Sequence, residues 1–330
     1  MEYRFLGKTG VRVSKLCFGA MSFAKDADEA ESAALYRRCR EAGINFFDCA
    51  DVYSNGQSEE YLGRFIASER DQVVITSKVY FPSGAGVNDR GSSRYHIVRS
   101  VEGSLRRLNT DRIDVYFLHR FDDFTDLEET LRALDDLVRQ GKILYPAVSN
   151  FAAWQVEKAL GISAREGLAR LVCLQPMYNL VKRQAEVELL PMAQAEGLGV
   201  IAYSPLGGGL LSGKYDQTHR PEDGRLMTNK MYMARYKDDW MYAAAGDLNA
   251  FARQNGWEPA ALAVAWVMSH PAITAPIIGA RNVRQLESSL KSLEIEMTTE
   301  LRERVSAFTP EPPPATDRND ERDIDFMGKR

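Results

Sequence analysis

The stretch Asn45-Phe-Phe-Asp48, read with Val73-Val-Ile-Thr-Ser-Lys78 and Ile113-Asp-Val-Tyr-Phe-Leu-His119, decides how this chain folds. Each is an apolar run that ends on a chemically active side chain: a carboxylate, an amine and an imidazole. Tyr53 follows in the loop after the first run and adds a phenol. Strands buried on both faces read as continuous apolar runs, and such strands belong to parallel sheets. The ordinary polarity of strand-to-loop transitions explains a Ser, Asn or Gln at a strand end. It poorly explains a Lys and an Asp that directly abut buried strands.

Outward from these runs, short apolar segments alternate with helical patterns along nearly the whole chain. Candidate strands fall at 16–20, 45–50, 73–79, 113–119, 143–150, 171–177, 199–205 and 273–280. Amphipathic stretches at 28–42, 58–68 and 127–140 lie between them, with further helices expected at 259–269 and 282–292. This alternation implies parallel pairing through helical crossovers. Eight such units predict a closed (β/α)8 TIM barrel over residues 1–330 as one domain, with a doubly wound open sheet as runner-up. Residues 3–6 and 11–13 flank Gly7-Lys-Thr-Gly10 and predict an N-terminal β-hairpin across the barrel bottom. The interval from Ser204 to Gly279 is too long for one crossover and predicts a large insertion after strand seven, with an extra helix before residue 259. The Pro-rich and charged end, 310–330, reads as a solvated tail or as a segment laid over the barrel mouth.

In a parallel barrel the C-terminal strand ends share one face, and active sites sit there. Asp48, Lys78, His119, Ser149-Asn150, Gln175, Ser204 and Arg281 all lie at or just beyond such ends. A free phenol has a pKa of about 10 and needs help to act as an acid near neutrality. A nearby ammonium lowers that value, and a carboxylate keeps the ammonium charged. An imidazole can orient a bound carbonyl. Together these groups can protonate a carbonyl oxygen while a hydride reaches its carbon.

Bulk properties narrow the classes. A content of 45% hydrophobic and 27% charged residues is that of an ordinary soluble globular protein. A net charge of −4 argues against a broad footprint for nucleic acid. No run is long enough to span a membrane, the start lacks a signal-peptide pattern, and a reducing cytoplasm is the expected compartment. Cys17, Cys39, Cys49 and Cys173 lack metal-ligand spacing, and three of them, Cys17, Cys49 and Cys173, lie inside apolar strands as small hydrophobes. His96, His219 and His270 match no metal motif and are expected at the surface or in loops, with no metal site. Gly208-Gly-Leu-Leu-Ser-Gly-Lys214 nearly spells a P-loop, but Tyr215 stands where a hydroxyl would hold Mg²⁺, so an NTPase reading fails.

With these residues in place, the chain resembles the aldo-keto reductases, in the branch of bacterial members and potassium-channel β subunits. The resemblance runs from Phe5-Leu-Gly-Lys-Thr-Gly10 to about Ser289. It rests on Asn45-Phe-Phe-Asp-Cys-Ala-Asp-Val-Tyr53, Ser58-Glu-Glu-Tyr-Leu-Gly63, Ser104-Leu-Arg-Arg-Leu108, Ser149-Asn-Phe151, Gln175-Pro-Met-Tyr-Asn179, Ala202-Tyr-Ser-Pro-Leu206 and Gly279-Ala-Arg281 with Gln285-Leu286. It implies a barrel that binds NADPH, with NADH weaker, and reduces a small-molecule carbonyl. On that resemblance Tyr53 is the general acid, Lys78 and Asp48 tune it, and His119 orients the carbonyl.

The resemblance also implies the cofactor contacts. Ser149, Asn150 and Gln175 would meet the nicotinamide amide, and Tyr203 would stack on its ring, while Gly19, Ala20 and Met21 approach the adjoining ribose and Asp48 also belongs to the cofactor-binding set. Ser204, Pro205, Leu206 and Gly208 would pass along the pyrophosphate as a glycine-hinged loop, with Lys214 as a nearby cation. Gly279, Arg281, Gln285 and Ser289 would surround the adenosine end. Two positions depart from the pattern: Ser288-Ser289 replaces a frequent Glu-Asn, and Arg120 replaces an aromatic after the histidine. Substrate determinants are expected at Met21, Phe23, Tyr80, Phe81, Arg120, Phe121 and 231–240. Arg120 either tolerates an anionic group or pairs with Asp122 or Asp123. The competing reading is an NADPH-binding, redox-sensing regulatory subunit with little turnover; no oligomeric state is implied.

Overall fold

Apolar strands buried on both faces satisfy their backbone groups only by pairing with one another. The structure is a computed structural model that describes residues 1–222 and 224–316. It begins with an antiparallel hairpin, β1 (Tyr3–Phe5) and β2 (Arg12–Ser14). The first crossovers are β3 (Cys17–Gly19), α1 (Glu29–Glu41), β4 (Phe46–Asp48), α2 (Gln57–Ile66), β5 (Val74–Val79) and α3 (Arg94–Leu108). Then come β6 (Ile113–Leu118), α4 (Leu127–Arg139), β7 (Ile143–Ser149), α5 (Ala153–Glu166), β8 (Cys173–Gln175) and α6 (Leu189–Glu196). After β9 (Gly199–Ala202) follow α7 (Arg225–Thr228), α8 (Lys230–Arg235), α9 (Asp239–Gln254), α10 (Pro259–Met268), β10 (Ala275–Ile278), α11 (Val283–Leu290) and α12 (Thr299–Ser306).

Strands β3 to β10 close into an all-parallel barrel in which β10 pairs with both β3 and β9. This is the expected (β/α)8 architecture, and the open-sheet alternative is excluded by the closure. Side chains alternate in and out along each strand. Cys17, Phe46, Val115, Phe117, Ala147, Cys173, Ile201 and Ala275 form the inner cluster, capped below by Leu6 and Val13 of the hairpin. Phe18, Phe47, Tyr116, Val148 and Leu174 point the other way and pack under the helices. Counting two residues on from Phe46, Phe117, Ala147 and Cys173 reaches Asp48, His119, Ser149 and Gln175. The candidate site is therefore the polar top layer of the barrel interior, set there by strand periodicity.

Local chemistry ends the helices where the barrel needs them ended. Asp28, Ser93, Asp126 and Asn282 each accept from a first-turn amide at the starts of α1, α3, α4 and α11. Gly167 and Gly197 close α5 and α6 in the left-handed region. In the hairpin turn, Gly7 has φ +55, and a Cβ there would meet the Gly199 amide nitrogen at 2.7 Å. That contact presses the hairpin against the start of β9, at the barrel bottom.

Several expectations need correcting. The strands are shorter than the apolar runs, because residues such as Ala20 and Ala50 turn out of the sheet while staying buried. The insertion after β9 contains the expected extra helix before α10, α9, and with it the shorter α7 and α8. His96 is not at the surface: it lies in α3, 1% exposed, its ring beside the Ser100 hydroxyl. Phe23 cannot line a substrate pocket, because it is fully buried against Phe18 and Phe65. All four cysteines are buried, Cys17 and Cys173 within strands, Cys49 just beyond β4 and Cys39 in α1. No helix among the described residues is long and apolar enough to cross a membrane. The tail expected over 310–330 lies beyond residue 316 outside the described residues.

Candidate active site

The end of β4 and the penultimate residue of β5 bring Asp48 and Lys78 together inside the barrel. The Lys78 ammonium donates to both Asp48 carboxylate oxygens at 2.8 Å and to the Cys49 carbonyl at 2.7 Å. Both side chains are buried, so the pair is held in a poorly screened environment. Burial alone would pull the Lys78 pKa down, but the Asp48 charge and hydrogen bonds raise it above the usual amine range. Asp48 also accepts from the Thr76 hydroxyl and from Gln175 Nε2, each at 2.8 Å. A carboxylate so supplied with donors is held in place.

Tyr53 stands over this pair. Its hydroxyl accepts from Lys78 at 3.4 Å, and the ammonium lies 4.9 Å from its ring centroid. Burial pushes the phenol up to about 12, and the Lys78 charge only partly offsets that. The simple expectation of a phenol lowered by its ammonium is therefore reversed here: desolvation outweighs the charge, which Asp48 largely neutralises. His119 lies edge-on to Tyr53 at 6.1 Å between centroids, with Phe81 on another side at 4.9 Å. Burial, helped by the Lys78 charge, holds the imidazole well below its usual range, so it is neutral near pH 7. Its Nδ1 is buried without a partner among the described residues. An orphaned nitrogen beside a phenol is suited to meet an exogenous oxygen.

Hydrogen bonds extend the cluster around the strand ends. Tyr203 donates to Asn150 Oδ1 at 2.7 Å, and Asn150 Nδ2 donates to the His119 carbonyl at 2.9 Å and to the Ser149 hydroxyl at 3.0 Å. Ser149 donates to the Gln175 carbonyl at 2.9 Å. Asn150 and Ser204 are held left-handed, with φ 58 and 57, where non-glycine residues are strained and often functional. Beyond them Pro205 and Leu206 lead into Gly207, Gly208 and Gly209, which all have positive φ. At Gly207 and Gly208 the rings of Tyr236 and Tyr232 fill the space a side chain would take, while at Gly209 that space is open. Gly19 ends β3, and Ala20 and Met21 turn away from it, Met21 exposed.

The remaining candidates lie farther out. Lys214 is exposed after the glycine turn. Gly279 follows β10, and Arg281 is exposed, its amide donating to Gln285 Oε1 at 3.1 Å. Ser289 is 2% exposed within α11. Glu287 of α11 is held by Arg38. Arg281 lies 3.8 Å from Asp26, which Arg225 of α7 approaches at 3.0 Å. Sequence reading missed Thr76, although it sits two residues before Lys78 and so on the same strand face. It also missed Asp26, for which no local pattern gave a signal, and Asp51, whose buried carboxylate oxygens have no hydrogen-bond partner among the described residues.

Comparison with known proteins agrees with this geometry. Residues 15–309 match the family model described as the aldo/keto reductase family. The chain is 39% identical to an uncharacterized oxidoreductase, YrpG, of Bacillus subtilis (strain 168), over 94% of this chain and 97% of the relative. It is 37% identical to a probable voltage-gated potassium channel subunit beta of Oryza sativa subsp. japonica, over 96% and 99% of the two chains. It is 31% identical to versiconal hemiacetal acetate reductase of Aspergillus parasiticus, over 91% and 94%.

Proposed function

The chain belongs to the aldo/keto reductase family, and on that premise we propose that it reduces a small aldehyde or ketone to the alcohol, using NADPH in preference to NADH. The observation that carries this reading is the buried chain from Asp48 through Lys78 to Tyr53, ending beside the unpartnered His119 nitrogen. When bound, the nicotinamide supplies a hydride to the carbonyl carbon.

The residues present suit that group. Gln175 spends its Nε2 on Asp48 and keeps Oε1 for an amide N–H, while Asn150 and Ser149, whose donor hydrogens are spent within the cluster, each keep a lone pair on oxygen. The open backbone at Gly209 and the exposed cations Lys214 and Arg281 suit phosphate. Tyr203 would carry the ring.

Tyr53 is protonated near neutrality and delivers its proton to the carbonyl oxygen as charge builds there. Lys78 then faces a phenolate, and its attraction, weak toward the neutral phenol, grows as that charge appears. Asp48 keeps Lys78 charged throughout. Neutral His119 donates to the same oxygen and fixes its direction. The four buried thiols are in keeping with a reducing cytoplasm.

Steady-state oxidation of NADPH with a panel of small aldehydes tests this. Aldehyde-dependent turnover that disappears in Tyr53→Phe supports it, and absence of turnover across the panel removes it. A second reading has one observation in its favour, the 37% identity to a protein named as a probable channel β subunit. On that reading the protein holds NADPH tightly as a redox sensor, and a single slow turnover with retained cofactor would be its mark.

A further inference from the structure

Arg120 follows the catalytic-site histidine directly, in the loop after β6 on the face where the strands end. A bland role for it would be a surface pair with a neighbouring acid. The structure gives it none. Asp122 is committed to its own loop, accepting from the Ser92 amide at 2.7 Å, the Phe124 amide at 3.0 Å and the Thr125 hydroxyl at 2.8 Å. Among the described residues Arg120 forms no hydrogen bond or ion pair, and it is exposed.

Aromatic side chains flank Arg120 along the chain and at the neighbouring strand ends. Phe81 packs edge-on to His119 at 4.9 Å. Phe121, the next residue, sits 6.0 Å from Trp154, which is 61% exposed at the start of α5. Exposed aromatic area on the face where the strands end invites an apolar partner. An unpaired Arg on the same loop invites a carboxylate, which its planar fork can grip with two parallel bonds.

From this placement we infer that the physiological substrate is a carbonyl compound with an apolar, ring-bearing body and a carboxylate, the anion received by Arg120. The inference rests on the reductase reading above and narrows it to a substrate class. Covering by the substrate ring would strengthen the pair, because a charge pair gains as water leaves it.

The test compares 4-carboxybenzaldehyde with its neutral methyl ester, both with NADPH, in the parent and in Arg120→Gln and Arg120→Lys. In the parent, kcat/KM should favour the carboxylate by about tenfold, the scale of one charge-assisted contact, and mainly through KM. The preference should vanish in Arg120→Gln and return in part in Arg120→Lys. The readout is a ratio within each protein, so a general loss of activity does not obscure it. Equal kcat/KM for the two aldehydes in the parent, or a preference that survives Arg120→Gln, overturns the inference while leaving the reductase reading intact. Turnover of neither aldehyde would remove the reductase reading, and this inference with it.

Discussion

Lys78 Nζ sits 2.8 Å from both carboxylate oxygens of Asp48 but 3.4 Å from the Tyr53 hydroxyl. The ammonium is thus committed to the acid, and the phenol receives the weaker contact. That asymmetry explains why burial keeps Tyr53 protonated, at about 12, despite a cation beside it. A general acid must hold its proton until the substrate oxygen demands it, and a phenol kept protonated meets that condition.

Tyr53→Phe should remove nearly all carbonyl reduction while leaving NADPH affinity close to that of the parent. A positioned acid contributes roughly 10²–10⁴-fold to rate, and the phenol is the group placed to donate. Steady-state rates and a fluorescence titration of NADPH would check both halves. Activity above about a tenth of the parent's would move the acid elsewhere, with His119 the next candidate.

Lys78→Met should damage turnover almost as much and also weaken the fold. Removing the cation removes the influence that lowers Tyr53, so the basic limb of any surviving pH–rate profile should move upward. Asp48 would be left buried without its counter-charge, a loss of about 3–5 kcal/mol. Urea melts and pH profiles give the two readouts. An unchanged profile with measurable turnover would reduce Lys78 to a structural partner of Asp48.

Arg281→Ala should raise the KM for NADPH and leave that for NADH little changed, because only the former carries a 2′-phosphate for the guanidinium. Asp26, 3.8 Å from Arg281, competes for the same cation. Asp26→Asn should therefore shift NADPH binding in the opposite direction. Equal weakening of both cofactors in Arg281→Ala, or a parent that prefers NADH, would defeat the assignment.

Asp51 gives a stability prediction. Burial first, and the nearby Glu59 charge second, push its carboxyl up to about 7, with the Arg107 charge offsetting only part. The folded state therefore holds this proton more tightly than the unfolded chain does. Its effect on stability runs downward as pH rises from the ordinary carboxylate value, about 3.9, toward 7, at about 1.4 kcal/mol per unit of displacement. Asp51→Asn should accordingly raise Tm at about pH 8 and change it little at about pH 4.5. The same Tm difference at both values would show that Asp51 does not titrate there.

How much of this was legible in the sequence depended on periodicity. The barrel and the placement of Asp48, Lys78, His119 and Gln175 follow from apolar runs with reactive ends, because a two-residue repeat fixes which side chains face inward. Thr76 obeys the same repeat and could have been found. The misses lie where tertiary packing overrides local pattern. Phe23 looks like a loop aromatic but is folded back into a ring cluster, and His96 falls on the inner face of α3. The direction of the Tyr53 shift was equally hidden, since burial depth is not written in the spacing of four residues. The helices α7, α8 and α9 fill an interval whose length was evident and whose content, beyond one extra helix, was not.

The hydrogen bond from Gln175 to Asp48 joins residues 127 positions apart. Asp48, Tyr53, Lys78 and His119 all leave the ribosome well before Gln175 does. Until β8 arrives and the ring shuts, the top of the half-made barrel is open to water and Asp48 lacks one of its donors. Bringing distant segments together is the slow part of assembling such a topology. The nascent chain therefore holds the proposed acid, phenol, amine and imidazole before the donor that completes their network, and that network closes only with the docking of the C-terminal half.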